Sequence, residues 1–260
     1  VPTASGNNGW HRTQPTIQIS GTDSGSGLQA AEISLDSGAT WIPTKTTLSD
    51  GTYDVTFRVT DVVGNQSQET RTIKVDTTSP IITESITGTY GSGGWYTSEV
   101  TVDALTSDAG SGLIGEEMRV DGGAWTAIGS VTLADGSHMV EYRAEDEAGN
   151  ITTKPVVINV DTVAPTASIS LTGTLGANGW YTSDVSLDLV SSDADSGVAQ
   201  VEYQVGSLWY TTTGAIILTD GTYDVRFRVT DTAGNANLTN PVTYHVDTTP
   251  PDMEWVLQGS

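Results

Sequence analysis

The sequence predicts an all-β chain folded as three tandem β-sandwiches arranged as an extended rod. Three observations carry that prediction. The first is composition: 260 residues contain 29 Gly, no Cys, two Phe and only ten Lys or Arg, a mixture rich in turn formers and poor in helix-forming material. The second is an internal repeat. Trp10, Trp95 and Trp180 stand 85 residues apart, as do Asp23, Asp108 and Asp193, then Asp50, Asp135 and Asp220, then Asp61, Asp146 and Asp231. The third is period-two alternation inside each repeat, as in Tyr223, Val225, Phe227 and Val229 set between polar neighbours, which gives one buried and one wet face.

The repeats occupy residues 1–80, 81–165 and 166–251, and 252–260 begins a further strand. Each closes on "VDTTSP", "VDTVAP" or "VDTTPP", whose prolines Pro80, Pro165 and Pro250–Pro251 cannot continue a ladder and so mark linkers. The third repeat sets the order of elements: strand A at about 167–173, B at 184–192, C at 198–205, a middle pair over 208–217, F at 222–230 and G at 240–246. About seven short strands with turn clusters between them are what an immunoglobulin-like or fibronectin-III-like sandwich requires.

Two stretches carry a family resemblance. "LTDGTYDVRFRV" resembles the E–F corner of fibronectin type III and immunoglobulin domains, where a Tyr hydroxyl bonds back to the backbone. Tyr53 and Tyr223 fit that corner, while His138 takes the Tyr position in the second repeat. The tandem "GWYTSDV", "DxxGN" and "VDTxxP" motifs are similar to those of the bacterial Ig-like domains in large surface adhesins and secreted multi-module enzymes. That resemblance implies an extracellular location on a bacterial surface and a spacer or adhesive role.

Charge narrows the partners. A net charge of -22 argues against nucleic acid, which needs a basic surface to displace counterions, and no run of 18 apolar residues argues for insertion into a membrane. Cations are the natural counterpart. In an immunoglobulin sandwich the B–C and F–G loops lie at the pole where the domain begins, and strand G leaves from the other pole. Asp76 is therefore expected to meet Asp108 and Asp146, and Asp161 to meet Asp193 and Asp231. Oxygen-only ligands completed by the amide oxygens of Asn150 and Asn235 suit calcium, and the resemblance implies calcium at such junctions. The bland alternative is that each Asp caps its own turn.

Other residues offer less. His11, His138 and His245 fall at non-equivalent repeat positions, which suits packing better than zinc. Without Cys or a repeated Ser-His-Asp pairing no nucleophile has a carrier, so the chain is read as non-enzymatic. Trp10, Trp95 and Trp180 could stack on a cell-surface glycan, or cover the ends of their own sandwiches.

The two ends raise a further expectation. Pro80 and Pro165 each precede a Trp by 15 residues, whereas Pro2 precedes Trp10 by 8, so the first repeat lacks its own strand A. At the other end "LQGS" aligns with "LTGT" and "ITGT", and Met253, Trp255 and Leu257 alternate as in a strand A. Residues 252–260 are then either a donor strand for the first domain of a second copy, giving a head-to-tail filament in which Asp247 meets Asp23 and Asp61, or the start of a further tandem domain.

Overall fold

A computed structural model describes residues 4–256 and 258. Among them there is no α-helix, and a single 3-10 turn covers Ala177–Gly179. The chain divides into two compact units. One takes in the first repeat as far as Ile86 with Val102–Val131 and Met139–Val157, and the other Thr87–Thr101, Thr132–His138 and the chain from Ile158 onward.

In the first unit, five strands form a sheet in the order Trp10–His11, Gln66–Val75, Gly51–Asp61, Leu28–Ser34, Ile42–Pro43. A second sheet holds only Thr16–Gln18 and Lys45–Thr47, antiparallel with Ile17 opposite Thr46. Between them lie Ile17, Ile33, Leu48, Val55, Ile73 and Val75, inward because alternate side chains of a strand point to one face. The same unit carries Leu113–Val120 antiparallel to the strand ending at Asp146, with Met118 opposite Tyr142. A bulge interrupts that ladder between Leu113 and Gly115, as it does between Leu28 and Ala30 in the first repeat.

The second unit holds the third repeat. Thr166–Thr172, Val185–Ser192 and Ile216–Leu218 form one sheet, and Trp180–Tyr181, Val242–Val246, Gly221–Asp231, Val198–Val205 and Leu208–Thr211 the other, with Ala236–Leu238 also on Gly221–Asp231. Its core joins Val185, Leu187, Ile216, Leu218, Val225, Phe227, Tyr244 and Val246. The strands expected at about 167–173, 184–192, 198–205 and 222–230 therefore exist, each within a residue or so of its expected ends. The G segment expected at 240–246 begins at Val242, because Pro241 lacks the N–H a ladder needs.

The corner motif is present in all three repeats. Tyr53 donates its hydroxyl hydrogen to Asp50 O at 3.4 Å and Tyr223 to Asp220 O at 3.2 Å. His138 Nε2 lies 2.9 Å from Ala134 O, so the ring that replaces Tyr keeps a backbone tie at the same corner.

Candidate functional site

The first Asp of "SDAGSG" and of "SDADSG" folds its B–C loop around its own carboxylate. Asp108 Oδ2 accepts from Gly110 N at 3.0 Å and Gly112 N at 2.8 Å, and Asp193 Oδ1 from Asp195 N at 3.2 Å and Gly197 N at 2.7 Å. Each "DxxGN" Asp does the same for the F–G turn. Asp146 Oδ1 accepts from Asn150 N at 2.8 Å, and Asp231 Oδ1 from Asn235 N at 2.8 Å. Local Asx turns of this kind are why Asp and Asn occupy these positions.

The "VDT" carboxylates then reach beyond their own turn. Asp76 Oδ1 accepts from Thr78 N at 3.1 Å while its Oδ2 accepts from Ser111 N at 2.7 Å. Asp161 repeats this with Val163 N at 3.1 Å and Ser196 N at 3.2 Å. Burial acts to raise the Asp76 carboxyl, but the bonds from Ser111 and Thr78 outweigh it and hold the group below the usual carboxylate range. Asp76, Asp146 and Asp161 are fully buried.

Two of the expected constellations form. Asp76, Asp108 and Asp146 each bring a carboxylate oxygen within 4.8 Å of the others, and so do Asp161, Asp193 and Asp231. Asp108 Oδ1 is buried there and has no hydrogen-bond partner, although a buried carboxylate oxygen normally has one. The same side chains thus cap turns and cluster: both oxygens of Asp76, Asp146, Asp161 and Asp231 accept hydrogen bonds.

One expectation needs correction, and two others concern contacts beyond a single chain. Asn150 and Asn235 do not turn amide oxygens to the clusters. Their Nδ2 groups donate to Asp146 Oδ2 and Asp231 Oδ2, and also to the carbonyls of Asp76 at 3.1 Å and Asp161 at 2.8 Å. An amide beside three carboxylates presents its donor edge because that edge alone is attractive there. The meeting of Asp247 with Asp23 and Asp61 is expected between two copies, and within one chain these three belong to none of the clusters found among the described residues. Each caps its own turn, through Gly27 N, Asn65 N and Thr249 N respectively. Met253 and Trp255 are 89 and 75 % exposed and lie in no strand, and Leu257 falls outside the described residues.

Sequence reasoning missed a third cluster, Asp135 with Asp161 and Asp195. Asp195 stands where the other repeats have Gly25 and Gly110, so the spare Asp in "SDADSG" was the visible signal. Burial, then repulsion from Asp161, Asp135 and Asp193, raises its carboxyl above the usual range. Asp135 also accepts from Thr162 N at 3.1 Å, as Asp50 does from Thr77 N and Asp220 from Thr248 N.

The repeated Trp residues are already engaged. Trp10 is 7 % exposed with Lys74 Nζ 5.3 Å from its ring centre, Trp95 is half-buried, and Trp180, 40 % exposed, lies 5.0 Å from the His245 ring. A second Trp series went unnoticed: Trp41, Trp125 and Trp209, at intervals of 84. Arg58, Arg119 and Arg228 lie over these rings at 3.6, 4.5 and 4.6 Å, and each Arg also pairs with a Glu, namely Glu32, Glu141 and Glu202.

Comparison with known proteins places these motifs. A family model described as a bacterial Ig-like domain matches residues 3–77 and 85–162, and a second model of the same description matches 157–248. Hyalin of Strongylocentrotus purpuratus is 31 % identical over 229 residues, covering 78 % of this chain, and the chain spans 17 % of hyalin's length. Among solved structures, the fibronectin(III)-like modules of Clostridium thermocellum CbhA share 18 % identity at a TM-score of 0.27, over 61 % of this chain and 90 % of theirs. A 1.5-MDa bacterial ice-binding adhesin shares 19 % at 0.30, over 90 % of each chain.

Proposed function

The chain belongs to the bacterial Ig-like domain family, and from that premise we propose that it is a non-enzymatic structural protein of the bacterial cell exterior. In this reading it is a stiff spacer whose modules are tied by calcium at their acidic turns.

The observation that carries the reading is the pair of matching carboxylate clusters, with Asp108 Oδ1 buried and unpartnered in one of them. Two carboxylates 4.8 Å apart repel by about 1 to 3.5 kcal/mol, depending on how much water screens them. Among the described residues the ion pairs of Lys and Arg lie elsewhere, on the sheet faces. An all-oxygen donor set with one open buried oxygen fits a hard cation. Asp76, Asp108 and Asp146 would hold one ion and Asp161, Asp193 and Asp231 another. Calcium would supply the positive charge that lets a "VDT" linker and two loops share one site. Composite sites of extracellular modules bind at about 0.1 to 1 mM, which suits the outside of a cell.

Chelation is expected to lower the melting temperature and to broaden the distribution of dimensions seen by small-angle scattering, with Asp161→Ala doing the same in calcium. A melt and scattering profile indifferent to chelator in both proteins refutes the calcium reading. The second reading, a glycan-binding accessory region, draws on the partial exposure of Trp180, and is supported only by polysaccharide binding that Trp180→Ala abolishes.

A further inference from the structure

We propose that the third module carries a binding groove for a neutral glycan, in which a sugar ring lies on Tyr210 and bonds to the hydroxyls of Tyr203 and Tyr210. The inference goes beyond the spacer reading, does not depend on calcium, and places glycan contact away from Trp180.

The groove opens where the two sheets of that module end side by side. Among the described residues Leu208–Thr211 is the last strand of one sheet and pairs with Val198–Val205 only, while Ile216–Leu218 is the last strand of the other and pairs with Val185–Ser192 only. Residues 212–215 cross from one edge to the other. That crossing is longest here, since Trp209 precedes Leu218 by nine residues, whereas Trp125 precedes Leu133 by eight and Trp41 precedes Leu48 by seven. Between the two edges lies a groove of about 460 Å³, within the range of about 300 to 1,000 Å³ usual for small-molecule sites.

A change of side chains opens the same place. Tyr203 stands opposite Tyr210 in its ladder, as Ile33 stands opposite Ile42 and Met118 opposite Thr126 in the other two modules. Ile33 and Met118 are at most 1 % exposed and close the core there. Tyr203 is only half-buried, because a phenol packed on that core carries its hydroxyl out past it. Its ring stacks on Tyr210 with centres 5.3 Å apart and planes at 25°, and its centre lies 6.5 Å from that of Phe227. Phe227 thus supports Tyr203, and Tyr203 supports Tyr210. Tyr210 sits on the edge strand 43 % exposed, with its second face left to the groove. A platform ordered before its ligand arrives loses less entropy on binding.

The lining decides the class of ligand. No Asp, Glu, Lys, Arg or His is among the residues that line the groove. Trp209, the neighbour of Tyr210, points to the opposite face of its sheet, where Arg226 and Arg228 lie over it. An anionic ligand would therefore find no cation in the groove of a chain whose net charge is -22, and a cationic ligand would find no carboxylate. Val205, Ile216 and Leu218 supply apolar wall. Tyr223 spends its hydroxyl on Asp220 O, and Thr212 spends its own on Gly214 O at 2.6 Å. The hydroxyls of Tyr203 and Tyr210 have no hydrogen-bond partner among the described residues. A neutral pyranose matches this set: its C–H face packs on an aromatic ring, and its rim of hydroxyls exchanges hydrogen bonds with phenols. A purely aliphatic ligand would strip water from those phenols and give nothing in return.

The test is titration calorimetry on the whole 260-residue chain with hexasaccharides of glucose, mannose and galactose. An oligogalacturonate probes for an anionic ligand and 1-octanol for an apolar one. The expected result is saturable binding of at least one neutral hexasaccharide and none of the two controls. Tyr210→Ala should weaken that binding about tenfold with the melting temperature unchanged, because the side chain lies at an exposed edge. Tyr203→Phe and Tyr210→Phe keep the rings and remove one hydroxyl each, so they give an arm independent of folding, and each should weaken binding about threefold. Trp180→Ala should bind as the parent does. The proposal is overturned if no neutral hexasaccharide binds, if either control binds as well as the sugars, if the Tyr210 variants bind like the parent, or if Trp180→Ala abolishes binding. The response of the acidic turns to chelator is measured separately, so the spacer reading stands or falls on its own result.

Discussion

Asp108→Asn separates a cation site from a set of self-sufficient turns, because the two predict opposite signs. The Asn oxygen can keep the bonds from Gly110 N and Gly112 N now made to Asp108 Oδ2, so the loop retains its cap. The amide nitrogen takes the place of Oδ1, which has no partner, and turns a donor toward Asp76 and Asp146. Without calcium, two like-charge pairs at up to 4.8 Å disappear. Each is worth about 1 kcal/mol after discounting for the partial exposure of Asp108, near the water-like end of the Coulomb range. The variant should therefore gain about 1 to 2 kcal/mol in chelator, a rise of roughly 4 to 8 °C per kcal/mol for a module of this size. In millimolar calcium it should lose that advantage, because it gives up an ionised ligand. Calorimetric melts of both proteins in chelator and in calcium measure the four values needed. A variant less stable than the parent in chelator, or a shift identical in both buffers, refutes the reasoning.

Asp195→Asn should stabilise the chain near neutral pH. The folded Asp195 carboxyl is raised by burial and by Asp161, Asp135 and Asp193, so the charged form penalises the fold at high pH, and the penalty fades as pH falls through the raised value. The gap between variant and parent melts should close on acidification, and a gap independent of pH counts against it. Phe227→Ala, at a 1 % exposed site, should cost about 3 to 5 kcal/mol, whereas Phe57→Ala should cost about half as much because Phe57 is only half-buried; equal losses in denaturant titrations would contradict that asymmetry. Tyr223→Phe should cost about 1 kcal/mol by removing the bond to Asp220 O, and a stability unchanged within error would show that the corner is held by packing alone.

The repeat carried most of the fold because its anchors are turn residues. "DGTYDV" and "DxxGN" fix where strands stop, and the alternation of Tyr223, Val225, Phe227 and Val229 fixes which face is inward. The Asp76 and Asp161 clusters were legible for the same reason, since topology alone brings a G-strand end to the loops of the next module. What escaped was finer. Asn150 and Asn235 looked like oxygen ligands because sequence does not say which edge of an amide faces a neighbour. Asp195 was hidden by treating "SDADSG" as one more copy of "SDAGSG", although the one changed letter adds a carboxylate. The Trp41, Trp125 and Trp209 series has its own 84-residue interval, and it was masked by the stronger 85-residue signal of Trp10, Trp95 and Trp180.

The short strands Trp10–His11, Trp95–Tyr96 and Trp180–Tyr181 each run parallel to the last strand of their own repeat, with Trp10 opposite Lys74, Trp95 opposite Asn159 and Trp180 opposite His245. Tension drawn along the chain pulls two such neighbours in opposite directions along their length. Their backbone bonds are then sheared together, whereas a hairpin pulled from its open end peels one bond at a time. A chain put under load would in this way meet traction with a short early strand and the last strand of each repeat locked together as a latch, which opens only when all its bonds give at once.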